Sequence, residues 1–418
     1  NQELIKDFIS SLPYELTGAQ KVALWEIIKD LEKSYPMNRL LNGDVGSGKT
    51  VIAAAAALEA AKAGCRAAVM APTEVLANQH FQTFSKVLNG FGARIGLLTS
   101  SGVKGDGLSA DIVIGTHSLL SNSIKFHDLG LLVVDEEHRF GVRHKEKIKQ
   151  LKQVVDVLTL TATPIPRTLH MSLIGIRDFS TINTPPENRL PIETYVMEYH
   201  PDIVRDAILR EMDRGGQVFF VHNRVQSIAS IAAAIQDLVP QARVCVAHGQ
   251  MPERQLEKAM LDFIHFKYDV LVCTMIIESG LDIPNVNTIL INRADALGLA
   301  QLYQLRGRVG RSQTQAYGYL FYPQGRAITE DAQKRLRVIE EFTDLGSGFK
   351  IALRDLEIRG TGNILGPEQH GHIAAVGYDL YCKLLEEAVQ KLRGEKIEEA
   401  VETRINLPVE AYLPDEYV

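Results

Sequence analysis

The chain has 418 residues and a formal net charge of −6, with 45% hydrophobic and 23% charged residues. This length is too great for one ordinary core and favours two α/β domains with an appendage. No uninterrupted apolar run approaches the 18 residues of a membrane span, so we expect no transmembrane helix. The net negative charge by itself disfavours a polyanion as a partner. Net charge averages over the whole surface, however, whereas binding depends on local electrostatic fields.

The four cysteines are widely separated and form no CxxC pair or metal-ligand spacing. We therefore expect small buried thiols in a reduced, cytoplasmic protein. The chain begins at Asn1 without an initiator Met or a signal peptide, and we interpret it as a piece of a longer protein.

Short apolar runs alternate with helical segments along the first three quarters of the chain. They lack period-two polarity, which predicts strands buried on both faces, as in parallel sheets covered by helices. Pro185-Pro186 falls between two groups of runs and is incompatible with a helix or central strand, so it is the predicted linker. The predicted strands are Ala67–Met70, Ile112–Ile114, Leu131–Val134, Val157–Leu160, Val218–Val221, Val244–Val246, Val270–Cys273 and Thr288–Ile291.

The pattern changes after Pro323. Charged helical segments, Ala327–Asp344 and Leu380–Leu392, flank a glycine-rich stretch at 346–377 that composition alone would make a loop. The predicted organisation is an ATP-binding lobe at 1–185, a second lobe at 186–325, a third unit at 326–400 and an extended tail at 401–418.

Residues 43–50 read GDVGSGKT and satisfy the GxxxxGK[ST] pattern between an apolar segment and a helical one. Glycines let the backbone fold around phosphate oxygens, with N–H groups and a helix N-terminus facing the anion. We expect Lys49 to reach the β- and γ-phosphates of ATP and the Thr50 hydroxyl to ligate Mg²⁺. The predicted nucleotide-binding residues of this loop are Gly43, Asp44, Val45, Gly46, Ser47, Gly48, Lys49 and Thr50.

A second element follows the predicted strand Leu131–Val134, where the chain reads Asp-Glu-Glu-His from Asp135 to His138. A carboxylate at the carboxyl end of such a strand points into the crevice where ligands bind. We expect Asp135 to hold the Mg²⁺ shell and Glu136 to polarise the attacking water.

A third element, QLRGRVGR at 304–311, lies in the second lobe. A guanidinium suits the charge on a transferring phosphoryl group because it is planar, always protonated and multidentate. We expect Gln304, Arg308 and Arg311 to act in catalysis. Arginines from a second lobe would make hydrolysis depend on lobe closure.

The order and separation of these elements resemble those of superfamily 2 helicases, over nearly the whole chain. The resemblance implies two RecA-like lobes and a contact between Gln20 and adenine. The matching segments are Thr17–Gln20, Ala71–Glu74 (motif Ia), Gly115–His117 (motif Ib), Asp135–His138 (motif II), Thr161–Pro164 (motif III), Val221–Arg224 (motif IV), Thr274–Asp282 (motif V) and Gln304–Arg311 (motif VI).

Within that superfamily the chain resembles the bacterial duplex-DNA translocases of the RecG and transcription-repair coupling factor family. The first lobe looks like RecG and the second lobe and tail like the coupling factor, so a hybrid stays open. The third unit resembles the family's helical-hairpin translocation element. The residues that the resemblance implies in coupling are His138, Glu278, Gly280, Asp282, Arg354, Arg359 and Gln369.

Tracking along DNA without sequence preference requires contacts to phosphates. Aromatic residues make up 7% of the chain and do not alternate with basic ones, which disfavours a base-stacking grip on a single strand. By resemblance the candidate DNA-contacting residues are Thr73, Gly115, Thr116, His117, Thr161, Asn223, Arg224, His248, Gly249 and Thr274. For each of them the alternative is a capping or turn-stabilising residue.

Other partners follow from the resemblance alone. RNA polymerase and excision-repair proteins would bind through domains that we expect to be absent here, as is a strand-separating wedge, and we expect a monomer. The segment from Arg139 to Lys152 contains six Lys or Arg residues and one Glu. Such a composition is typical of a solvated helix or of a surface that contacts DNA or a polymerase.

The chain departs from the family pattern between Leu98 and Asp111. A short Ser/Gly-rich stretch, Thr99–Gly107, stands where the family usually has a helix. Two alternative functions stay open: an RNA helicase, disfavoured by the lack of an Asp-Glu-Ala-Asp motif, and a non-catalytic ATP-binding scaffold, disfavoured by Glu136, Arg308 and Arg311.

Overall fold

The fold is taken from a computed structural model of the chain. It describes residues 2–100, 102–121, 124, 126, 128–162, 178–184, 190–278, 283–310, 314–325, 327–343 and 347–358. Several predictions fall outside these residues: the Pro185-Pro186 linker, the helix Leu380–Leu392, the tail, and the roles of Gly280, Asp282, Arg311, Arg359 and Gln369.

An eight-stranded sheet forms the first lobe, with strand order β4-β3-β5-β2-β6-β7-β1-β8. Every pairing in it is parallel except that of β4 with β3. The strands are β1 Asn38–Gly43, β2 Arg66–Met70, β3 Ile95–Thr99, β4 Gly102–Gly105, β5 Ile112–Gly115, β6 Leu129–Asp135, β7 Asp156–Thr161 and β8 Asp178–Ile182.

Helices cover both faces of this sheet and bury two apolar clusters against it. The alanine-rich helix α3 is buried along most of its length because small side chains let it pack closely between neighbours. The helices are α1 Gln2–Ser11, α2 Gly18–Leu31, α3 Lys49–Lys62, α4 Glu74–Val87 and α5 Val142–Leu151.

The second lobe is a six-stranded, wholly parallel sheet with strand order β11-β12-β10-β13-β14-β9. Its strands are β9 Glu193–Glu198, β10 Gln217–His222, β11 Val244–Ala247, β12 Val270–Cys273, β13 Val286–Asn292 and β14 Tyr317–Tyr322. Its helices are α6 Pro201–Asp213, α7 Val225–Leu238, α8 Glu253–Ile264 and α9 Leu299–Arg306.

The structure confirms the predicted fold class of two α/β lobes with parallel sheets. All eight predicted strands are present, each extended by no more than two residues at either end. Because the strands of each sheet, with the exception of β4, run the same way, their carboxyl ends share one edge, which is where such sheets bind ligands. The division of the chain into four units stays a prediction.

Two helices follow the second lobe: α10, Glu330–Glu341, and α11, Gly348–Ile358. The first was expected within Ala327–Asp344. The second occupies the start of the glycine-rich stretch that composition would make a loop, and for residues 348–358 that interpretation is wrong. An apolar face decides the outcome, since Ile351 is fully buried in the core of the second lobe.

The Ser/Gly-rich segment at 99–107 is a β-hairpin. Strand β4 runs antiparallel to β3, and its four residues are all exposed. Gly105 adopts φ +63°, and a Cβ there would overlap the carbonyl oxygen of Ile95. The glycines therefore allow a second strand to lie close against the sheet edge.

Among the helices that the structure describes, none combines the length and the apolar character needed to cross a membrane. Three of the four cysteines lie in the described residues, and all three are free thiols.

Candidate nucleotide site between the two lobes

The phosphate loop joins β1 to α3 and has the backbone that its glycines allow. Gly46 and Gly48 adopt φ +80° and +86°, in the left-handed region. A Cβ at Gly48 would lie 2.5 Å from the side-chain nitrogen of Gln20. The hydroxyl of Ser47 is buried and has no hydrogen-bond partner among the described residues. The loop therefore presents unused polar groups to a cavity of about 260 Å³.

Lys49 lies at the start of α3, and its ammonium group is bound by the loop itself. It donates to the carbonyl oxygens of Gly43 at 2.6 Å and Asp44 at 2.9 Å. Burial lowers the pKa of Lys49 to about 8, against the opposing effect of Glu136 and Asp135. A buried ammonium with only two neutral acceptors is poised to bind an anion, which would restore its charge balance.

Asp135 is the last residue of β6 and lines the cavity. Its Oδ2 lies 2.9 Å from Nε2 of His80, which projects from α4. Both side chains are buried. The imidazole therefore fixes the orientation of the carboxylate, and sequence reasoning did not single out His80. Histidine has no recognisable spacing to motif II in the chain, so only the packing of α4 beside β6 reveals the pair.

Glu136 follows with φ +50°, a strained conformation for a residue other than glycine. Its carboxylate accepts from the backbone N–H of Ala162 at 3.1 Å and lies 3.3 Å from His138 Nδ1. Burial raises the pKa of Glu136, and the neighbouring Asp135 raises it further, against the opposing charges of Lys49 and Arg308. A carboxylate with a raised pKa is suited to accept a proton from water.

Arg308 reaches this cavity from the second lobe. It is only 2% exposed and lines the cavity with Lys49, Asp135 and Glu136. Its positive charge lowers the pKa of both Lys49 and Glu136, which places the guanidinium within electrostatic range of the two groups. The structure therefore brings Arg308 together with groups that precede it by 259 positions (Lys49) and 172 positions (Glu136) in the chain.

Gln304 lies elsewhere. It is buried in α9, 5% exposed, and is not among the residues that line the cavity. Gln20 is likewise occupied: its side chain donates to the Ser47 carbonyl at 2.8 Å and accepts from the Thr17 N–H at 2.8 Å. Gln20 thus supports the phosphate loop and caps α2, and its contact with adenine stays a prediction.

The residues predicted to contact DNA lie at the carboxyl edges of the two sheets. In the first lobe they follow or end strands β2 (Thr73), β5 (Gly115, Thr116, His117) and β7 (Thr161). In the second lobe they follow β10 (Asn223, Arg224), β11 (His248, Gly249) and β12 (Thr274).

These candidates differ in exposure. The Thr161 hydroxyl donates to Glu136 and the Thr73 hydroxyl accepts from the Leu76 N–H, so both already have internal partners. Gly115, Thr116, Thr161 and Thr274 are buried, whereas His117, Asn223, Arg224 and Gly249 are exposed. The exposed four are the ones that can meet a phosphate without rearrangement.

Of the predicted coupling residues, three lie in the described part of the chain. His138 is about half exposed beside Glu136. Glu278 ends a short 3₁₀ helix, Met275–Glu278, after β12. Arg354 is exposed on α11. Their coupling roles stay predictions.

The donor set fits a hard divalent cation held together with phosphate oxygens. Thr50 and Asp135, the predicted ligands, both line the cavity. Within the described residues no group of three or more His, Cys, Asp or Glu could hold a metal ion. Mg²⁺ typically keeps several waters and uses one or two protein oxygens with substrate phosphates, so two ligands are sufficient.

Two family profiles match the chain. Residues 19–172 match the DEAD/DEAH box helicase family, and residues 200–313 match the helicase conserved C-terminal domain. The two profiles cover all strands of the two sheets except β8, β9 and β14, and they include the phosphate loop, motif II and Arg308.

Comparisons with individual proteins indicate a smaller group within the helicases. The transcription-repair-coupling factors of Bacillus subtilis (strain 168) and Staphylococcus aureus (strain USA300) are 53% and 54% identical, over 100% and 98% of this chain. The chain spans 36% of the length of each. A structure of RecG bound to a three-way DNA junction is 36% identical, with a TM-score of 0.76 over 92% of this chain and 52% of that one.

A more distant structure, S. cerevisiae Dbp5 bound to RNA and ADP BeF3, shares the fold at 14% identity with a TM-score of 0.61, over 85% of this chain and 97% of that one. The chain therefore belongs to the superfamily 2 helicases, an ATP-hydrolysing class. Within that class it is similar to transcription-repair-coupling factors in sequence and to RecG in sequence and structure.

Proposed function

We propose that this chain is the motor of a transcription-repair coupling factor, which hydrolyses ATP to move along double-stranded DNA. One observation carries the proposal: Arg308 of the second lobe lines the same cavity as Lys49 and Glu136 of the first. Hydrolysis in such a site requires both lobes, so the chemical step and lobe closure are linked.

Each residue of the site has a separate role in the proposed hydrolysis of ATP. Lys49 and the loop N–H groups bind the β- and γ-phosphates, and Glu136 orients a water for attack and accepts its proton. Arg308, with Arg311 as the second predicted guanidinium, stabilises the charge that develops on the transferring phosphoryl group. Mg²⁺, held by Thr50 and Asp135, would neutralise charge on the phosphate oxygens.

Duplex DNA is the proposed track. The higher identity to the coupling factors than to RecG favours the former, and RecG-type fork remodelling is the alternative. The exposed candidates at the strand ends, among them His117 and Arg224, suit contacts to phosphates in a groove that spans both lobes. RNA polymerase and excision-repair partners, a monomeric state and a cytoplasmic location are proposed on the same similarity.

The proposal is tested by ATP hydrolysis with and without nucleic acid. We expect duplex DNA to stimulate the wild-type rate, and we expect Lys49→Ala to abolish hydrolysis. Arg308→Ala should bind ATP within a few-fold of wild type and lower kcat about 10³-fold, the usual effect of losing such an arginine.

Arg205→Ala is the matched control because Arg205 is an exposed arginine of the second lobe, on α6. It should hydrolyse ATP at the wild-type rate. Stimulation by RNA but not by duplex DNA would contradict the proposed track, and full activity in Arg308→Ala would contradict the site.

A further inference from the structure

We propose that Asp44, Tyr303 and Gly348 form a junction that transmits the state of the phosphate loop to the helices after the second lobe. We call these three residues the loop–helix junction. Asp44 belongs to the phosphate loop, Tyr303 to α9, and Gly348 is the first residue of α11. The inference rests on the proposed ATPase function and names the residues through which the site acts on the rest of the chain.

A hydrogen bond between the lobes forms the centre of the junction. The Tyr303 hydroxyl donates to Asp44 Oδ2 at 2.7 Å, across 259 positions of sequence. Tyr303 is 8% exposed, and its burial together with the Asp44 carboxylate raises its pKa. This partly buried hydroxyl–carboxylate bond is charge-assisted, so it is stronger and more geometrically selective than a neutral bond on the surface.

Gly348, in the predicted third unit, packs against both Asp44 and Tyr303. A Cβ built on Gly348 would overlap Asp44 Oδ1 and would lie 3.2 Å from the ring and hydroxyl of Tyr303. The first turn of α11 is thus in direct contact with the phosphate loop. Any movement of the Asp44 carboxylate must be accommodated by Tyr303 and by this turn.

Arg306 extends the connection from α9 to α10. It lies one helical turn after Tyr303, is 3% exposed, and donates to the carbonyl oxygens of Ile339 at 2.6 Å and Phe342 at 2.7 Å. These carbonyls belong to the last turn of α10 and its C-cap. One face of α9 therefore holds the phosphate loop and the end of α10, while Arg308, two residues further on, enters the cavity.

Nucleotide binding must alter Asp44, because Lys49 now donates to the Asp44 carbonyl at 2.9 Å. A triphosphate in the cavity would draw the ammonium away from this carbonyl and towards the phosphates. The Asp44 carbonyl then loses one of its two donors and keeps only the Ser47 N–H at 3.1 Å, at the position whose side chain holds Tyr303. The junction converts that local change into a displacement at the start of α11.

Hydrogen–deuterium exchange tests the junction without nucleic acid. In wild type, a non-hydrolysable ATP analogue with Mg²⁺ should change exchange both at the phosphate loop, 43–50, and at α11, 347–358. Tyr303→Phe keeps the ring and removes only the hydroxyl. It should keep the change at 43–50 and lose at least two thirds of the change at 347–358.

Gly348→Ala perturbs the same junction from the opposite side, by pushing against the Asp44 carboxylate, and should give the same result. Tyr195→Phe is the matched control, because that hydroxyl also donates to a carboxylate, Glu193 at 2.8 Å, but between two exposed residues of the same strand, β9. It should behave as wild type. An undiminished response of 347–358 in Tyr303→Phe would overturn the proposal.

A functional measurement separates coupling from a merely structural role. Tyr303→Phe should lower the base pairs travelled per ATP hydrolysed at least threefold, with the Kd for ATP within twofold of wild type. An unchanged ratio would contradict the junction. The exchange experiment contains no DNA, so its result can be interpreted even if duplex DNA is not the track. The junction and the proposed track can therefore be disproved separately.

Discussion

His80 is the residue whose contribution depends most on the folded structure. Its Nε2 lies 2.9 Å from the carboxylate of Asp135, the proposed metal ligand. Groups that orient metal ligands typically affect metal affinity or activity by 10- to 100-fold. We expect His80→Ala to lower kcat for ATP hydrolysis about tenfold and to raise the Mg²⁺ concentration for half-maximal activity, as a Mg²⁺ titration would measure.

His80→Gln supplies the control for this prediction. A glutamine amide can place a donor near the position of the imidazole Nε2, so this variant should recover part of the Mg²⁺ affinity. A His80→Ala enzyme with the wild-type Mg²⁺ dependence would show that the contact does not position Asp135.

Residues of the site were predictable where their chemistry has a fixed local spacing. The glycines, Lys49 and the Asp135-Glu136 pair follow from backbone and strand-end geometry that a short segment encodes. His80 and Tyr303 were not predictable, because their partners lie 55 and 259 positions away and no local pattern marks them. Gln304 is a different case, since it is buried in α9 and is not among the residues that line the cavity, and its catalytic role stays a prediction.

Among the elements, β1 depends on a buried ion pair. Arg39 donates to Asp30 at 2.6 Å, which ties β1 to α2, and to the Phe179 carbonyl at 2.9 Å, which ties it to β8. Removing Arg39 would leave the buried Asp30 carboxylate paired only with the partly exposed Lys33, at 2.6 Å, among the described residues. We expect Arg39→Met to lower the free energy of unfolding of the first lobe by about 3 kcal/mol.

Urea unfolding followed by the fluorescence of Trp25 measures this effect, because the only tryptophan of the chain lies on α2 of the same lobe. Arg205→Met removes an exposed arginine paired with Asp202 and should change the free energy of unfolding by no more than about 0.5 kcal/mol. Equal effects of the two substitutions would contradict the structural role of Arg39.

Strands with uninterrupted apolar runs, such as β12, were predictable because both of their faces are buried. Strand β1 was harder to recognise, since Asn38, Arg39 and Asn42 interrupt the apolar pattern and only the ion pair with α2 makes Arg39 compatible with burial. Strand β4 and helix α11 are rich in or begin with glycine, and their structure depends on neighbours that the local sequence does not contain.

At the scale of the whole molecule, the two lobes meet at the cavity of the predicted nucleotide site. Gly307 packs against Val45 of the phosphate loop, with 3.4 Å between a Cβ built on the glycine and the valine side chain. Tyr303 and Arg308 flank this contact on either side. We propose that the end of α9 is the interface through which a change at the phosphates reaches the second lobe and its exposed DNA-contact candidates, Asn223, Arg224 and Gly249.

The central claim is that this shared site drives movement along duplex DNA. Displacement of the third strand from a triplex on blunt duplex DNA tests it most directly. With ATP, the wild-type chain and Arg205→Ala should displace the strand, and Arg308→Ala should not, although it still binds ATP. Strand displacement by Arg308→Ala at the wild-type rate would contradict this claim. So would a wild-type chain whose ATP hydrolysis is stimulated by duplex DNA but which displaces no strand.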